Sequence, residues 1–409
     1  MKRRFSFRWI LLSALAGILA GASSSLFLIL IDAATSAREL RPGLIWFLPA
    51  AGFFIGWIYH RYGRDIAPGT NLVLDEIHDP KKIIPVRMAP LILVTTVLTH
   101  LFGGSVGREG TAVQMSASLA DQLTRFFRVS AEERRSLLVA GAGAGFSAAI
   151  GAPWAGVVFG MELIEVGRLR VAAWLECLIA AFVAYGVARL LGAPHSFLPP
   201  VTSSWFDGPT LLAAAAGGVL FGLTARLFCR LTHAVEWGQE RLISWSPLKP
   251  MLGGFLVLGL FLLLGTDRYL GLGIPVIQQA LQQAAPWTDP LWKGLFTVLS
   301  VGSGFKGGEF VPLVFMGTTL GSALAGAFAL SGNALAASGF AAVFAGAANT
   351  PIACTLMAIE IFGWPVALPA AVACFMSYLC SGPEGLYRSQ RTGPKHERLL
   401  AAFRRRRIF

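Results

Sequence analysis

Long charge-free runs, broken by short polar stretches, set the pattern of this chain. Trp9 to Ile31 carries no charged residue, and neither does Ser136 to Met161; between Phe310 and Pro383 the only charge is Glu360. A helix that crosses a bilayer core needs about 20 apolar residues, so the pattern predicts several membrane-spanning helices. Many of these runs are rich in glycine, as in Ala140-Gly141-Ala142-Gly143-Ala144-Gly145 and Gly103-Gly104-Ser105-Val106-Gly107. Small residues let helices approach closely in lipid. Glycine and proline also predict helices broken at membrane depth, where exposed N–H and C=O groups are tolerated only inside protein or along a watery path. The first run follows Lys2, Arg3 and Arg4 and contains Ala20-Gly21-Ala22, which resembles a signal peptide. It continues through Leu26-Phe27-Leu28-Ile29-Leu30, longer than a secretory apolar region of about 7–15 residues, so a retained first helix is expected.

Composition sharpens the class. Of 409 residues, 55% are hydrophobic and 14% charged, against about 25% charged in soluble domains, and mean hydropathy is +0.63. A soluble core is excluded. The net charge of +12 gathers at the ends, in Lys2, Arg3, Arg4 and Arg8 and in Arg404 to Arg407. Basic residues stay on the cytoplasmic side, so both termini are expected there, with an even number of full crossings. The basic tail reads as a topology signal beside anionic lipid, not as a nucleic-acid arm. Cys177, Cys229, Cys354, Cys374 and Cys380 lie in or near apolar segments without zinc-site spacing; they read as packing residues. No polar linker divides the chain, which predicts one membrane domain over 1–409.

Within that domain the chain repeats itself. Gly107-Arg108-Glu109-Gly110-Thr111 is followed by Ala152-Pro153-Trp154-Ala155-Gly156 and then Glu162. Gly307-Gly308-Glu309-Phe310-Val311-Pro312 is followed by Thr350-Pro351-Ile352-Ala353-Cys354 and then Glu360. In both copies the later glutamate stands nine positions after the proline, and Gly145-Phe146 matches Gly339-Phe340. Duplicated halves with broken helices meeting near the midplane are a transporter pattern. The halves are placed at about 8–192 and 209–387, with a short tail over 388–409.

The glycine-rich segments precede apparent helix starts. A helix N-terminus offers free N–H groups and about half a positive charge, an anion site without any lysine. Glu109 stands inside such a start. Its carboxylate can fill the site as a gate, and protonation would release it; on this motif alone a helix-capping glutamate reads as well. The start at Glu309 and Phe310, with Pro312 where no N–H is needed, supplies the facing half; there the backbone of Glu309, and not its carboxylate, is expected to face the site. Thr70 in Pro68-Gly69-Thr70-Asn71-Leu72 reads as an anion-facing hydroxyl or an ordinary N-cap, and Tyr387 as a pore residue or an interface anchor.

Taken together, these segments resemble the CLC chloride channel and transporter family, in the family's order from Gly69 to Tyr387. The resemblance implies an all-α integral membrane fold of two inverted repeats with broken, tilted helices, assembled as a homodimer with one pore per subunit. It implies that Glu109 is the gating glutamate, that Thr70 falls where the family places a serine hydroxyl, and that Tyr387 is the pore tyrosine. Backbone N–H groups of Arg108, Glu109, Gly110, Glu309, Phe310 and Val311 would line the ion path. Thr111 replaces a usual proline, Asn71 a common glycine, and Leu163 stands where chloride–proton exchangers carry an internal glutamate. These departures resemble the bacterial fluoride–proton antiporter branch, although that branch more often has methionine or asparagine at Thr70 and threonine at Val311.

Fluoride is strongly hydrated and needs more donors once stripped of water, and Thr70, Asn71 and Thr111 would add polar groups. The expected function is therefore proton-coupled fluoride export across the inner membrane, with no cofactor and no metal. A chloride or broad-anion channel or exchanger is the alternative, and a membrane enzyme using Ser147 or the acidic loop lacks supporting spacing. Glu162 and Glu360 are expected at helix ends in structural roles. Asp75, Glu76, His78 and Asp79 read as a solvated loop, and His100 as a hydrogen-bonded packing histidine.

Overall fold

The computed structural model describes residues 7–201, 208–328, 330, 333–382 and 384–392. The basic residues at 2–4 and 404–407 and Pro383 lie outside them. The described chain is helical almost throughout. The first half runs α1 (Phe7–Leu40), α2 (Leu48–Tyr62), α3 (Thr70–His78), α4 (Met88–Leu101), α5 (Glu109–Phe126), α6 (Ala131–Ile150), α7 (Pro153–Glu162) and α8 (Trp174–Leu190). The second runs α9 (Gly208–Leu242), α10 (Leu248–Leu264), α11 (Ile274–Ala280), α12 (Asp289–Gly302), α13 (Phe310–Ala327), α14 (Ala334–Ala348), α15 (Pro351–Phe362) and α16 (Ala367–Ser381). The lengths repeat in order: α1 and α9 have 34 and 35 residues, and α5 and α13 have 18 each. Two short strands, β1 (Glu165–Val166) and β2 (Arg391–Thr392), pair in parallel.

Among the described residues, six helical stretches are long and apolar enough to cross a bilayer, including Phe7–Leu40, Gly208–Leu242 and Phe310–Ala327. Others fall short of a span. α7 has 10 residues and α15 has 12, about 15 and 18 Å at 1.5 Å per residue. Proline sets their starts, since Pro153 and Pro351 occupy the first helical turn where the missing N–H costs nothing.

Glycine sets how closely the helices pack. A Cβ on Gly145 of α6 would fall 2.5 Å from the Ala112 carbonyl oxygen of α5, and one on Gly339 of α14 would overlap Gly317 of α13. The glycines matched between the two halves therefore do the same work, pressing one helix onto the helix that carries the candidate site. Next to each stands a phenylalanine. Phe146 and Phe340 pack edge-on against Phe310, with ring centroids 5.7 and 6.4 Å away, within the range such pairs favour.

The short helices are tied across the halves. The Glu162 carboxylate, at the end of α7, accepts the N–H groups of Ile352 and Ala353 at the start of α15, at 3.0 and 2.8 Å. The Glu360 carboxylate, at the end of α15, accepts those of Trp154 and Ala155 at 2.9 and 2.8 Å. Each acid caps the other helix, as the structural reading of their matched positions requires.

Two expectations need correction. Residues 75–78 are the end of α3, not a solvated loop. Glu76 is buried; it accepts the Lys81 and Lys82 N–H groups at 2.8 and 3.1 Å and pairs with Arg134 at 2.9 Å. Arg134 also holds Asp121 at 2.7 Å, so a turn that reads as polar in sequence is folded inward around one arginine. His100 is buried on α4, yet neither ring nitrogen makes a well-formed hydrogen bond. The expected burial is present; the expected hydrogen bond is not.

Candidate functional site

The two glycine-rich segments meet. Gly308 N–H donates to the Gly107 carbonyl at 2.7 Å, and Gly107 N–H donates back to the Gly308 carbonyl, forming an isolated antiparallel bridge. A side chain would not fit there: a Cβ on Gly308 would lie 2.7 Å from the Gly110 nitrogen, and one on Gly107 would lie 3.0 Å from the Val311 nitrogen. This bridge brings the first turn of α5, beginning at Glu109, beside the first turn of α13, beginning at Phe310. Helical geometry leaves the first N–H groups of both without intrahelical partners, and both positive dipole ends converge on the same place.

Glu109 fills that place. Its side chain is 3% exposed and folds back over its own helix start. Oε2 accepts the Arg108 N–H at 3.2 Å, and Oε1 accepts the Arg108 Nε at 3.3 Å. The carboxylate thus occupies the position an anion would take at this terminus. Arg108 is buried too, and its Nη2 donates to Ser196 Oγ at 3.4 Å. A cavity of about 60 Å³ opens here, lined by Arg108, Glu109, Ser196, Phe310, Val311 and Phe340 among others. That holds a few water-sized spheres and lies far below the ~300 Å³ of sites for organic ligands. Arg108, Glu109 and Ser196 are its polar lining residues; the others, including Ile150, Leu198 and Ile361, are apolar.

Thr70, the first residue of α3, is buried, and its hydroxyl oxygen accepts from Gln114 Nε2 at 3.2 Å. Its side chain makes no N-cap hydrogen bond, and it is not among the residues that line the cavity beside Glu109. Asn71 is used differently from expectation: its Oδ1 accepts the Ser389 N–H at 3.1 Å, tying the segment that carries Tyr387. The Thr111 hydroxyl is bonded to Thr96 Oγ1 at 3.0 Å in a buried pair, so it joins α4 to α5. Tyr387 is buried, and it is not among the residues that line the cavity beside Glu109. The backbone of Glu309 caps α13, but its Oε2 also comes within 3.9 Å of where a Cβ on Gly110 would stand. The acid itself reaches the junction.

Three features escaped the sequence reading. Gln114 is one; it lies on α5 five residues after Glu109, about 140° around the helix, so the spacing does not mark it. Gln390 is another, with no local signal at all. The third is Lys293, fully buried on α12, whose Nζ donates to the carbonyls of Gly271 and Tyr269 at 2.7 and 3.1 Å.

Residues 51–382 match the family model described as voltage gated chloride channel. The chain is 49% identical over 406 residues to a chloride/fluoride channel protein of Pseudomonas syringae pv. tomato, covering 96% of this chain and 88% of the relative. It is 28% identical over 417 residues to an H(+)/Cl(-) exchange transporter of Vibrio vulnificus, covering 90% and 85%. The crystal structure of a CLC-type fluoride/proton antiporter superposes with a TM-score of 0.90 at 33% identity, covering 95% of this chain and all of that one. A slow cyanobacterial Cl-/H+ antiporter shares the fold, with a TM-score of 0.82 at 22% identity and coverage of 97% and 99%.

Proposed function

The chain belongs to the voltage gated chloride channel (CLC) family, and on that premise we propose that it exchanges fluoride for protons across the bacterial inner membrane, with Glu109 as its gate. The observation that carries the reading is the Glu109 carboxylate seated on the N-terminus of α5, in the place of an anion. An anion and this carboxylate compete for one position. Protonation removes the carboxylate's charge, frees the position, and couples ion movement to proton movement. The buried Arg108 and the convergent starts of α5 and α13 support a dehydrated small anion. Backbone N–H groups of Arg108, Glu109, Gly110, Glu309, Phe310 and Val311, together with Tyr387, complete the proposed path.

Fluoride over chloride is supported by the likeness to a chloride/fluoride channel protein and to a fluoride/proton antiporter. It is also supported by Leu163, an apolar residue where chloride–proton exchangers carry an internal glutamate. Glu309 offers a second acid at the same junction. A homodimer in the inner membrane with both termini cytoplasmic belongs to this reading as well.

The deciding experiment measures fluoride, chloride and proton flux from liposomes holding the purified protein. Fluoride efflux with proton counter-movement and little chloride efflux is expected. Equal chloride transport would sink the fluoride assignment in favour of a broad-anion exchanger of the same fold. Glu109→Gln should abolish proton-driven exchange; proton-driven fluoride movement at the wild-type rate would remove Glu109 from the gate. Glu309→Gln tests the second acid: if the proton passes through it, coupling falls while fluoride still moves.

A further inference from the structure

The segment after α16 is tied down more heavily than a terminal strap needs to be. Leu386 N–H donates to the Ala347 carbonyl at 2.8 Å, Ser389 N–H to Asn71 Oδ1 at 3.1 Å, and Arg388 pairs with Glu236 at 2.7 Å. β2 then pairs with β1 through Glu165↔Arg391 and Val166↔Thr392. The centre of this array is Gln390. Its Nε2 donates to the carbonyls of Leu163 and Ala348, at 2.9 and 2.8 Å, and its Oε1 accepts from Asn349 Nδ2 at 3.1 Å. Those carbonyls stand at the C-terminal ends of α7 and α14, where helices leave orphan acceptors and partial negative charge. One side chain therefore closes a helix end in each half of the molecule.

The surroundings are shaped for that contact. Asn349 is the only non-glycine with positive φ among the described residues, at 57°, a conformation asparagine tolerates better than most. It caps α14 and turns its amide toward Gln390. A Cβ on Gly385 would lie 2.5 Å from Asn349 Nδ2 and 2.7 Å from the Ala347 oxygen, so the strap can press this close only with glycine there. Tyr387 lies between these fixed points, and Gln390 N–H donates to its carbonyl at 3.2 Å.

We infer that Gln390 is a positioning residue that, with Asn71 as second anchor, holds the Tyr387 hydroxyl against the ion path and thereby sets discrimination between anions. This rests on the reading of Tyr387 as a pore residue. The physical reason is stiffness. A small, strongly hydrated anion needs its replacement donors at fixed short distances, whereas a larger anion tolerates a donor that wanders. Loosening the strap should therefore harm fluoride more than chloride.

The test uses the purified full-length protein in liposomes, with sodium fluoride and sodium chloride as probes. Gln390→Ala should raise the apparent fluoride KM and lower the fluoride-to-chloride rate ratio about tenfold, and Asn71→Ala, which cuts a single hydrogen bond, should move both the same way. Because Gln390 acts through Tyr387, Gln390→Ala/Tyr387→Phe should be no worse than Tyr387→Phe alone. A purely structural role would lower the melting temperature and leave the ratio alone, and that result overturns the inference, as do additive effects in the double variant. If Gln390→Ala does not fold, Asn71→Ala decides by the same ratio. Wild-type protein without fluoride preference overturns the transport reading and this inference together; preserved preference with unaffected variants overturns this inference alone.

Discussion

Thr70 carries a hydroxyl whose oxygen accepts from Gln114, which directs its own hydrogen away from that bond. A hydroxyl has one donor and two acceptor lone pairs, so a group held through its oxygen is preset to donate. Hydrogen bonds to charged partners are worth about 1.5–3 kcal/mol, which corresponds to roughly 10- to 100-fold in affinity. Thr70→Val keeps the shape and removes the donor. Fluoride KM should rise by about that factor with the maximal rate less affected, measured by concentration-dependent efflux; an unchanged KM would leave Thr70 as packing. Such residues were legible in the sequence because their chemistry is local: a glycine-rich break, then a helix start, then the acid or hydroxyl at it. Gln114, Gln390 and Lys293 were not. Their partners lie 44, 227 and 22 positions away in the sequence, and nothing beside them in the chain names those partners. Glu76 was misread because the arginine that draws it inward, Arg134, lies 58 positions away, and His100 because no sequence pattern marks a buried ring left without a partner.

At the scale of elements, the glycines and prolines told where helices begin and which helices press together, and the repeat told which elements answer each other. The partnership of α7 with α15 could not be read from either copy alone. Glu162 and Glu360 each look like the end of their own helix, and only the fold reveals that each carboxylate serves the other helix. Two N–H groups meet each acid, both pairs within 3.0 Å. Losing a cap costs about 0.5–2 kcal/mol. Glu162→Ala and Glu360→Ala should therefore each lower the melting temperature of the detergent-solubilised protein by a few degrees. Fluoride transport should persist at low temperature, because neither acid lines the cavity beside Glu109. Loss of proton coupling with unchanged stability in Glu162→Ala would instead move that residue from cap to proton carrier.

For the whole molecule the decisive feature is where its short helices lie. A spanning helix must match a hydrocarbon core of about 30 Å, yet α7 and α15 reach about 15 and 18 Å. Both reach the perimeter: Trp154 of α7 is 53% exposed and Ile352 of α15 is 38% exposed. Facing lipid, such helices would bring their carboxylate-capped starts and connecting loops into hydrocarbon, where polar groups are costly. Beside them, α8 and α16 present Trp174, Phe182, Leu368 and Phe375, all exposed. A second copy laid against this face would cover the short helices and their ends, so the expected homodimer interface is α7, α8, α15 and α16. Light scattering of the detergent complex should then give twice the mass of one chain. Ile352→Glu, which places a charge on that face, should shift the mass toward the monomer, while the same substitution at exposed Leu262 of α10, outside that face, should leave the dimer intact. Each subunit holds its own junction of α5 and α13, so the monomer should keep proton-coupled fluoride movement if it stays folded. A wild-type protein that scatters as a monomer would mean that lipid itself seals this face, and the argument from helix length would be wrong.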